Sequence, residues 1–314
     1  MTTKTKYHRK PNRPPTRPAK ALSEQPGVVA RQMRELGTIP SNVAPLHAEF
    51  RPLLIPRTTL AASGLSDAQI LNPSICVQDG KLRAVVRVIA HTKTYNFLGH
   101  VSDAWELSAA REVKDVSPGI HNPFGYEDCR LFGLSGRLYA SATILDGHAT
   151  MVVLELSEEG DVTGVHAQKS DRHEKNWMPV TDGGHLWFVY SVEPLIVLRY
   201  DNPTHLVKPN VSGIAGRGGV IRGSSQLQPY ANGFIAVVHQ VHQSPTTYLH
   251  RIVRFDRFLQ VVRMSEPFYF IRRGIEFCAG LVHWRGAWVM SFGLADNEAY
   301  LAVVEDGVVD RMVT

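Results

Sequence analysis

The sequence predicts an all-β fold: a five-bladed β-propeller preceded by a disordered basic arm. Three observations support this prediction: a repeat, strand-like segments within each repeat, and the absence of helical patterns between them. A weak repeat recurs five times, at steps of 55, 48, 48 and 52 residues. Each repeat contains short strands rich in β-branched and aromatic residues, and no helical pattern separates them, as a doubly wound α/β fold would require. Three or four short strands per repeat match one blade of a propeller.

Each repeat contains a polar motif, a turn with glycine about ten residues later, and an apolar strand. A third strand often follows each pair of strands. The polar motifs are NPSI at Asn72, YEDCR at Tyr126, EKNWMP at Glu174, RGSS at Arg222 and GIEF at Gly274. The turns with their strands are DGKLRAVVRV, SGRLYASATI, GGHLWFVYSV, NGFIAVVHQV and RGAWVMSFGL, and the third strands are HATMVVLEL, LIVLRYD, TYLHRIVRFD and EAYLAVVE.

The position of the polar motifs predicts a site on the propeller axis. The innermost strand of each blade lines the central channel, and each motif precedes the inner hairpin of its blade. The five motifs are therefore expected to converge on one axial pocket. In the alternative interpretation, these polar residues only satisfy backbone groups at the crowded centre. Charges grouped there would be costly without a use, which favours a site.

The basic residues are concentrated in the first part of the chain. Residues 1–20 contain seven Lys and Arg and no acidic residue, and the remainder has 27 basic and 29 acidic residues. This segment is also rich in proline, so we expect residues 1–26 to be a disordered, solvated arm. Contact of the arm with an acidic partner is the alternative, and no nucleic acid is expected as a partner. Residues 27–67, with a helical pattern near 28–36, are expected to pack on the propeller of residues 68–314.

The sequence also gives expectations for the cellular compartment of the protein and for its cofactors. No run of about 18 apolar residues predicts a membrane span, and no apolar stretch follows the basic N-terminus as in a secretory signal, so we expect a cytoplasmic protein. Cys76, Cys129 and Cys278 are isolated in sequence and are expected to be buried thiols rather than disulfide or zinc ligands. Metal-binding and nucleotide-binding motifs do not occur in a suitable setting, so no metal or organic cofactor is expected.

The order of the motifs resembles glycoside hydrolase family 130 and its relatives. The shared order is Asn-Pro-Ser-Ile, Glu-Asp-x-Arg, Lys-Asn-x-x-Pro, a Gly-rich segment leading to a strand with histidine, and Ser-Phe-Gly-x-x-Asp, over roughly residues 68–312. The resemblance implies a five-bladed propeller. Members of this family are mostly inverting phosphorylases that act on β-mannosides, with hydrolases and mannosyltransferases among the relatives.

The resemblance implies a role for several residues of the motifs. Asp128 matches the general acid of the family, whose proton passes through a sugar hydroxyl. Arg130 matches the arginine beside that acid, which orients it. The other matches are Asn72 and Ser74 near the sugar and anion site, Lys175 and Asn176 in the basic motif, His239 in the histidine strand, and Asp296 at the sugar.

Two departures from the family pattern leave the nucleophile open. Cys129 stands where the family has proline, and YSVEPL at Tyr190 to Leu195 replaces a segment that often carries Arg-Pro in phosphorylases. The loss of that arginine weakens the case for phosphate. Some hydrolytic relatives use paired glutamates to activate water, and Glu193 with Glu276 are the candidates for that role.

Inverting glycosyl transfer needs different residues when phosphate is the nucleophile and when water is. An acid protonates the leaving oxygen while a nucleophile attacks the opposite face of the sugar. Phosphate as nucleophile needs cations, and water needs a carboxylate base. Glu127 is expected to bond backbone groups or a sugar hydroxyl. The cationic candidates are Arg87, Lys175, Arg222 and His239.

The sequence thus predicts a carbohydrate-active enzyme that cleaves or forms a β-mannosidic or similar bond with inversion. Its substrate would be an oligosaccharide or a sugar phosphate, with inorganic phosphate as a candidate co-substrate. A glycosyltransferase of polysaccharide or glycoconjugate synthesis is the first alternative. A non-catalytic propeller that binds a glycan or a protein is the second.

Overall fold

Tight two-residue turns close the inner hairpins of the molecule. In four of them both turn residues have positive φ, as in Asp79–Gly80 with 50° and 68° and Ser135–Gly136 with 50° and 78°. Positive φ at both positions is the signature of the type I′ turn, which suits the twist of paired strands and favours glycine at its second position. The sequence signals DG, SG, GG and RG therefore become hairpins.

The computed structural model describes residues 39, 42–117, 122–168, 173–202, 205–207, 221–243 and 245–314. The predicted basic arm at 1–26 and the helical pattern near 28–36 lie outside the described residues. Residues Leu36–Thr314 form one compact unit of the chain.

The described elements are almost all strands, with two short helices. The strands are β1 (Ala44–Pro45), β2 (Glu49–Pro52), β3 (Gln69–Gln78), β4 (Lys81–Ala90), β5 (Lys93–Val101), β6 (Leu107–Glu112), β7 (Glu127–Leu134), β8 (Arg137–Asp146), β9 (His148–Leu156), β10 (Val162–Ala167), β11 (Met178–Asp182), β12 (His185–Val192), β13 (Leu195–Asn202), β14 (His205–Val207), β15 (Ile221–Gly223), β16 (Gln228–Tyr230), β17 (Gly233–His242), β18 (Thr247–Asp256), β19 (Val261–Met264), β20 (Phe268–Tyr269), β21 (Glu276–Trp284), β22 (Ala287–Leu294) and β23 (Glu298–Glu305). The helices are α1 (Arg57–Ala62) and α2 (Asp306–Val313).

These strands form five sheets, numbered here in chain order. The first sheet is β3-β4-β5-β6, the second β7-β8-β9-β10 and the third β11-β12-β13-β14. The fourth contains β15 to β20 together with β1, and the fifth is β21-β22-β23 followed by β2. The arrangement is a β-propeller, so the all-β propeller prediction is confirmed.

Two N-terminal strands join the last two sheets of the chain. Strand β2 pairs antiparallel with β23, with Glu49 opposite Val303, and β1 pairs parallel with β20. The beginning of the described chain thereby completes sheets whose other strands come from its end. Such pairing closes the ring of a propeller and covers strand edges that would otherwise be open.

The first strands of the sheets contact one another around the centre. Their backbone groups are satisfied by polar side chains from neighbouring sheets. The Gln226 amide donates to the Ile75 carbonyl at 2.6 Å and accepts from the Leu281 N–H at 3.2 Å, and Ser291 donates to the Pro73 carbonyl at 2.6 Å. The axis is therefore filled by side chains in this region.

Apolar residues from facing sheets form the cores between blades. One core joins the fourth and fifth sheets through Ile252, Phe270 and Phe292, all fully buried. Cys76, Cys129 and Cys278 are buried free thiols, as predicted. Neither of the helices in the described part of the chain has the length and hydropathy that crossing a membrane would demand.

Candidate active site

Three of the innermost strands have an Asn or Asp with a left-handed backbone conformation within them or just before them. Asn72, Asp128 and Asn176 have φ of 44°, 49° and 66° and occupy corresponding places in the first three sheets. Asn and Asp adopt this conformation more readily than other residues with a side chain. The strand register shifts at the first two of these positions, so the backbone bulges there. The bulges turn polar side chains of neighbouring sheets toward one another.

The Asp128 carboxylate is held by two donors from the first sheet. Asn72 Nδ2 and Arg87 Nη1 both donate to Asp128 Oδ1 at 2.9 Å. Arg87 Nη2 donates to Glu127 Oε1 at 2.6 Å, so one guanidinium spans both carboxylates. Arg87 Nε reaches Thr94 Oγ1 at 3.4 Å. We call Asn72, Arg87, Glu127 and Asp128 the acid cluster.

Gly293 makes room for the acid cluster. A Cβ at this position would lie 2.1 Å from Asn72 Oδ1 and 2.7 Å from the Asn72 backbone nitrogen. Only glycine therefore allows the fifth sheet to approach the Asn72 bulge this closely. Gly293 belongs to the SFG sequence in which the last site motif begins.

The acid cluster and Asp296 contain two carboxyl groups that retain protons more readily than usual. Burial is the largest cause that raises the pKa of Glu127, and the Asp128 charge raises it further, whereas Arg87 and Lys175 oppose the shift. Asp296 lies at the exposed β22–β23 turn. Partial burial of its carboxyl and the Asp128 charge raise the pKa of Asp296, and the Arg87 charge opposes this shift. Asp296 therefore lies within electrostatic reach of Asp128.

A cleft of about 410 Å³ opens between the third and fourth sheets. Two cations line it, Lys175 and Arg222, and neither has a salt bridge to any described residue. Unpaired cations facing a cleft are suited to binding an anion. The remaining lining residues are His173, Glu174, Asn176, Tyr190, Ser191, Ile221 and Gly223. We call this cavity the cationic cleft.

His239 is a neutral imidazole packed beside the cationic cleft. Its ring stacks on Tyr248 with centroids 5.2 Å apart, and Phe277 contacts it edge-on at 5.4 Å. Its Nδ1 lies 2.8 Å from Ser224 Oγ. Burial, followed by the neighbouring His250 and the Arg222 charge, holds the pKa of His239 well below its ordinary value. His239 is therefore available as a hydrogen-bonding group and not as a cation.

Sequence reasoning missed Tyr248 and Ser224. Burial raises the pKa of the Tyr248 hydroxyl, and the charges of Asp296, Arg222 and Asp128 also act on it. Tyr248 thus lies within electrostatic reach of both carboxylates and of Arg222. The sequence gives one signal for Tyr248. It lies two residues before His250 on the same strand, so both side chains belong to one face of the sheet. Ser224 was visible only as part of the RGSS motif.

The structure contradicts two of the predicted site roles. Ser74 is fully buried, and its hydroxyl accepts the Leu131 N–H at 2.9 Å, so it joins two blades instead of binding substrate. Glu276 is also fully buried. Its carboxylate accepts the backbone N–H groups of Phe270, Ile271 and Arg272 at 2.6 to 2.9 Å. Glu276 thus anchors a loop and is not placed to activate water.

Arg130 differs from its predicted role as a substrate contact. Its side chain is fully buried, and all three guanidinium nitrogens donate to protein acceptors. That Arg130 orients Asp128 stays a prediction. For a substrate contact, a side chain needs an accessible donor, and Arg130 has none.

Glu193 lies in the turn between β12 and β13 and is partly buried. Burial raises its pKa, and the Arg251 charge opposes the shift. Of the two glutamates predicted as water-activating bases, Glu193 alone keeps a position compatible with that role. Within the described ranges, no group of three or more His, Cys, Asp or Glu side chains could hold a metal ion.

A scan against protein-family models finds no matching family, and a search of curated proteins finds no match. Solved structures do match. One comes from the GH130 family of mannoside phosphorylases, which contains glycoside hydrolases that target β-1,2-mannosidic linkages in Candida mannan: TM-score 0.60, 12% identity, 86% of this chain and 97% of that chain. A mannose phosphorylase from Leishmania mexicana in complex with a phosphate ion has TM-score 0.59 at 12% identity, over 85% of this chain and 90% of that one. A β-1,2-mannobiose phosphorylase from Listeria innocua has TM-score 0.57 at 10% identity, over 89% and 97%.

At these identities the comparison concerns the fold. The matches extend over most of both chains, so the likeness includes the whole propeller and not a single blade. This chain has a β-propeller fold like that of glycoside hydrolase family 130 structures.

Proposed function

We propose that this chain is a carbohydrate-active enzyme that cleaves or forms a β-mannosidic or similar glycosidic bond with inversion. The observation that carries the proposal is the Asp128 carboxylate held by Asn72 and Arg87 near the cationic cleft. A positioned carboxyl group and a nearby anion-binding cleft are the two parts that phosphorolysis requires. The likeness to mannoside phosphorylases supports β-mannosides as the substrate class.

Asp128 is the proposed general acid. Both donors bind its Oδ1, and within the described residues its Oδ2 has no hydrogen bond. The side chain is 22% exposed, so Oδ2 can meet a ligand. A proton on Oδ2 would pass to the leaving oxygen or to a sugar hydroxyl beside it. The fixed Oδ1 keeps the acid in one orientation during transfer.

Phosphate is the nucleophile that the geometry favours. Lys175 and Arg222 line the cationic cleft without a salt bridge to any described residue, and they supply the positive charge that a phosphate dianion needs. Neutral His239 can add a hydrogen bond. Glu276 is committed to three backbone N–H groups, which removes one of the two candidate bases for hydrolysis. Water activated by Glu193 is the alternative.

The proposed reaction is a single displacement. A phosphate oxygen forms a bond to the anomeric carbon from the face opposite the leaving group, and the bond from that carbon to the glycosidic oxygen breaks. The electron pair of the broken bond stays on the leaving oxygen, which takes the proton from Asp128. The products are a free sugar and a glycosyl phosphate of inverted configuration.

The same site can run in the synthetic direction. The cationic cleft of about 410 Å³ is larger than a lone phosphate ion needs, and this room favours a sugar phosphate as a donor. In that direction the Asp128 carboxylate would accept the proton of the acceptor hydroxyl. A glycosyltransferase is therefore the second candidate function.

The experiment that tests the proposal separates an enzyme from a binding protein. Purified protein is incubated with β-manno-oligosaccharides, with and without inorganic phosphate, and with mannose 1-phosphate plus acceptor sugars. The Asp128→Asn variant is assayed beside it, because asparagine retains the left-handed backbone and the shape of the side chain. We expect turnover by the wild type and a loss of at least about 100-fold in the variant, with ligand affinity retained.

The matched control is Asp79→Asn. Asp79 has φ of 50°, almost that of Asp128. It lies in the turn that follows β3, whereas the acid-cluster residue Asn72 lies near the start of that strand. This variant should keep full turnover. A wild type that binds the oligosaccharides without turning them over in either direction would overturn the proposal and indicate a glycan-binding propeller.

A further inference from the structure

The guanidinium of Arg130 contacts four of the five sheets. Nε donates to the Ser224 carbonyl at 2.5 Å and Nη2 to Asn176 Oδ1 at 3.1 Å. Nη1 donates to the carbonyl of Asp128 in its own sheet at 3.0 Å. The guanidinium carbon lies 5.6 Å from the centroid of the Phe277 ring. One buried side chain therefore joins the second, third, fourth and fifth sheets.

A charge in this position is costly. Arg130 is fully buried, burial lowers its pKa, and it has no salt bridge to a described residue. Its three acceptors and the aromatic ring compensate part of the desolvation cost. An apolar side chain of similar volume would fill the same space without that cost. The benefit of arginine here must therefore come from what its donors hold in place.

The groups that Arg130 holds belong to both halves of the proposed site. The hydrogen bond from Arg130 to the Asp128 carbonyl fixes the backbone of the acid cluster at Asp128, its left-handed residue. The Asn176 amide lines the cationic cleft next to Lys175. Ser224 follows the cleft residue Gly223, and its hydroxyl binds His239. The planar fork of one guanidinium thus connects the acid, the cleft and the histidine at fixed distances.

We infer that Arg130 is a positioning residue that sets the separation between the Asp128 carboxyl group and the cationic cleft. It acts through the backbone of Asp128 and the side chain of Asn176, and it does not touch substrate. The catalytic part of this inference rests on the proposed function. The geometric part, that Arg130 fixes where Asp128 lies, stands without it.

Arg130→Lys tests both parts. Lysine keeps the positive charge and most of the length, but its single ammonium cannot reach three acceptors in a fork. We expect kcat to fall on the order of 100-fold, because a displacement of about 1 Å between reacting groups has that effect. The KM for the sugar should change little. The matched control is Arg83→Lys, which should leave kcat unchanged. Arg83 lies on β4, and its guanidinium donates a hydrogen bond to Gln78.

Crystal structures of the same variant supply a readout that needs no turnover. We expect Arg130→Lys to keep the propeller while the Asp128 carboxyl moves away from Asn72 Nδ2 and Arg87 Nη1. An unmoved Asp128 together with an unchanged kcat would overturn the inference. If the wild type proves inactive on every sugar, the proposed function fails, and the position of Asp128 in the variant alone decides the inference.

Asn176→Gly carries the test if the lysine variant does not fold. Glycine tolerates the left-handed backbone at this position and removes the amide that accepts from Arg130 and lines the cationic cleft, so the position of Asp128 in the variant decides the test. We expect Arg130 to shift and Asp128 to follow it, with a drop in kcat on the order of tenfold. An Arg130 guanidinium that moves without any movement of Asp128 would contradict the inference.

Discussion

Arg87 determines how the two carboxylates of the acid cluster are oriented, since its two terminal nitrogens hold Glu127 and Asp128 separately. Lysine at this position cannot form both bonds. For Arg87→Lys we therefore predict a fall in kcat of about 10-fold to 100-fold, measured on whichever β-mannoside the wild type cleaves. Arg83→Lys, on the same strand, is the control. Equal kcat in Arg87→Lys and the wild type would show that Asp128 does not need this fork.

Lys175 is predicted to act on the anion and not on the sugar. Lys175→Met removes one of the two positive charges that line the cationic cleft and keeps most of the apolar stem. The KM for phosphate should rise about 10-fold or more, with the KM for the sugar nearly unchanged, as initial rates at varied phosphate would reveal. Lys81→Met, at the far end of β4, serves as the control. A change confined to the sugar KM would place Lys175 at the sugar instead.

The sequence predicted which motifs converge but not how each side chain is used. The spacing of Asn72, Asp128 and Asn176 places them at corresponding positions of successive sheets, and this follows from the repeat alone. Glu276 is a carboxylate between the apolar residues Ile275 and Phe277, and such a setting also suits a catalytic carboxylate. Its three backbone donors come from a loop whose path is set by tertiary packing. No local pattern could reveal that use.

At the level of elements, the contact of β22 with the β3 bulge depends on Gly293. Gly293→Ala would force a Cβ against Asn72, so either the strand or the bulge must move. We predict a loss of about 1–3 kcal/mol in the free energy of unfolding, together with reduced activity, measured by urea denaturation and by turnover. Gly133→Ala on β7 is the matched control, because a Cβ there meets no atom within 4 Å. Equal stability of the two variants would refute this packing role.

The hairpins were predictable because each combines an apolar strand with a tight turn that glycine permits. The third strands predicted from HATMVVLEL, TYLHRIVRFD and EAYLAVVE coincide with β9, β18 and β23. The pairing of β1 and β2 was not predicted. Both are short, contain proline and pair with partners more than two hundred residues away. Only closure of the whole ring selects those partners, so a local signal is absent.

At the scale of the whole molecule, a buried histidine makes stability depend on pH. His250 is fully buried among aromatic rings, and burial lowers its pKa from 6.5 to about 3. The folded state therefore keeps it neutral, while the unfolded state takes up a proton once the pH falls below about 6.5. This contribution to stability is intact above about pH 6.5 and is lost progressively as the pH falls toward 3. At about pH 5 the loss is on the order of 2 kcal/mol.

His250→Phe tests that dependence. Phenylalanine fits among the neighbouring Phe268 and Phe270 rings, and it cannot take up a proton. The raised carboxyl pKa values of Glu127 and Asp296 act in the opposite direction, but they are common to both proteins. Between about pH 7.5 and pH 5 the variant should lose less stability in urea denaturation than the wild type. His185→Phe at an exposed position is the control, and parallel curves for His250→Phe and the wild type would contradict the assignment.

In the proposed function, the acid cluster and the cationic cleft together perform inverting transfer of a mannosyl group to phosphate. The most direct test follows β-1,2-mannobiose and inorganic phosphate with the purified protein by proton and phosphorus NMR. We predict α-mannose 1-phosphate and free mannose in equal amounts, and no product when phosphate is left out. Mannose released at the same rate without phosphate, or a β-configured phosphate product, would contradict the claim.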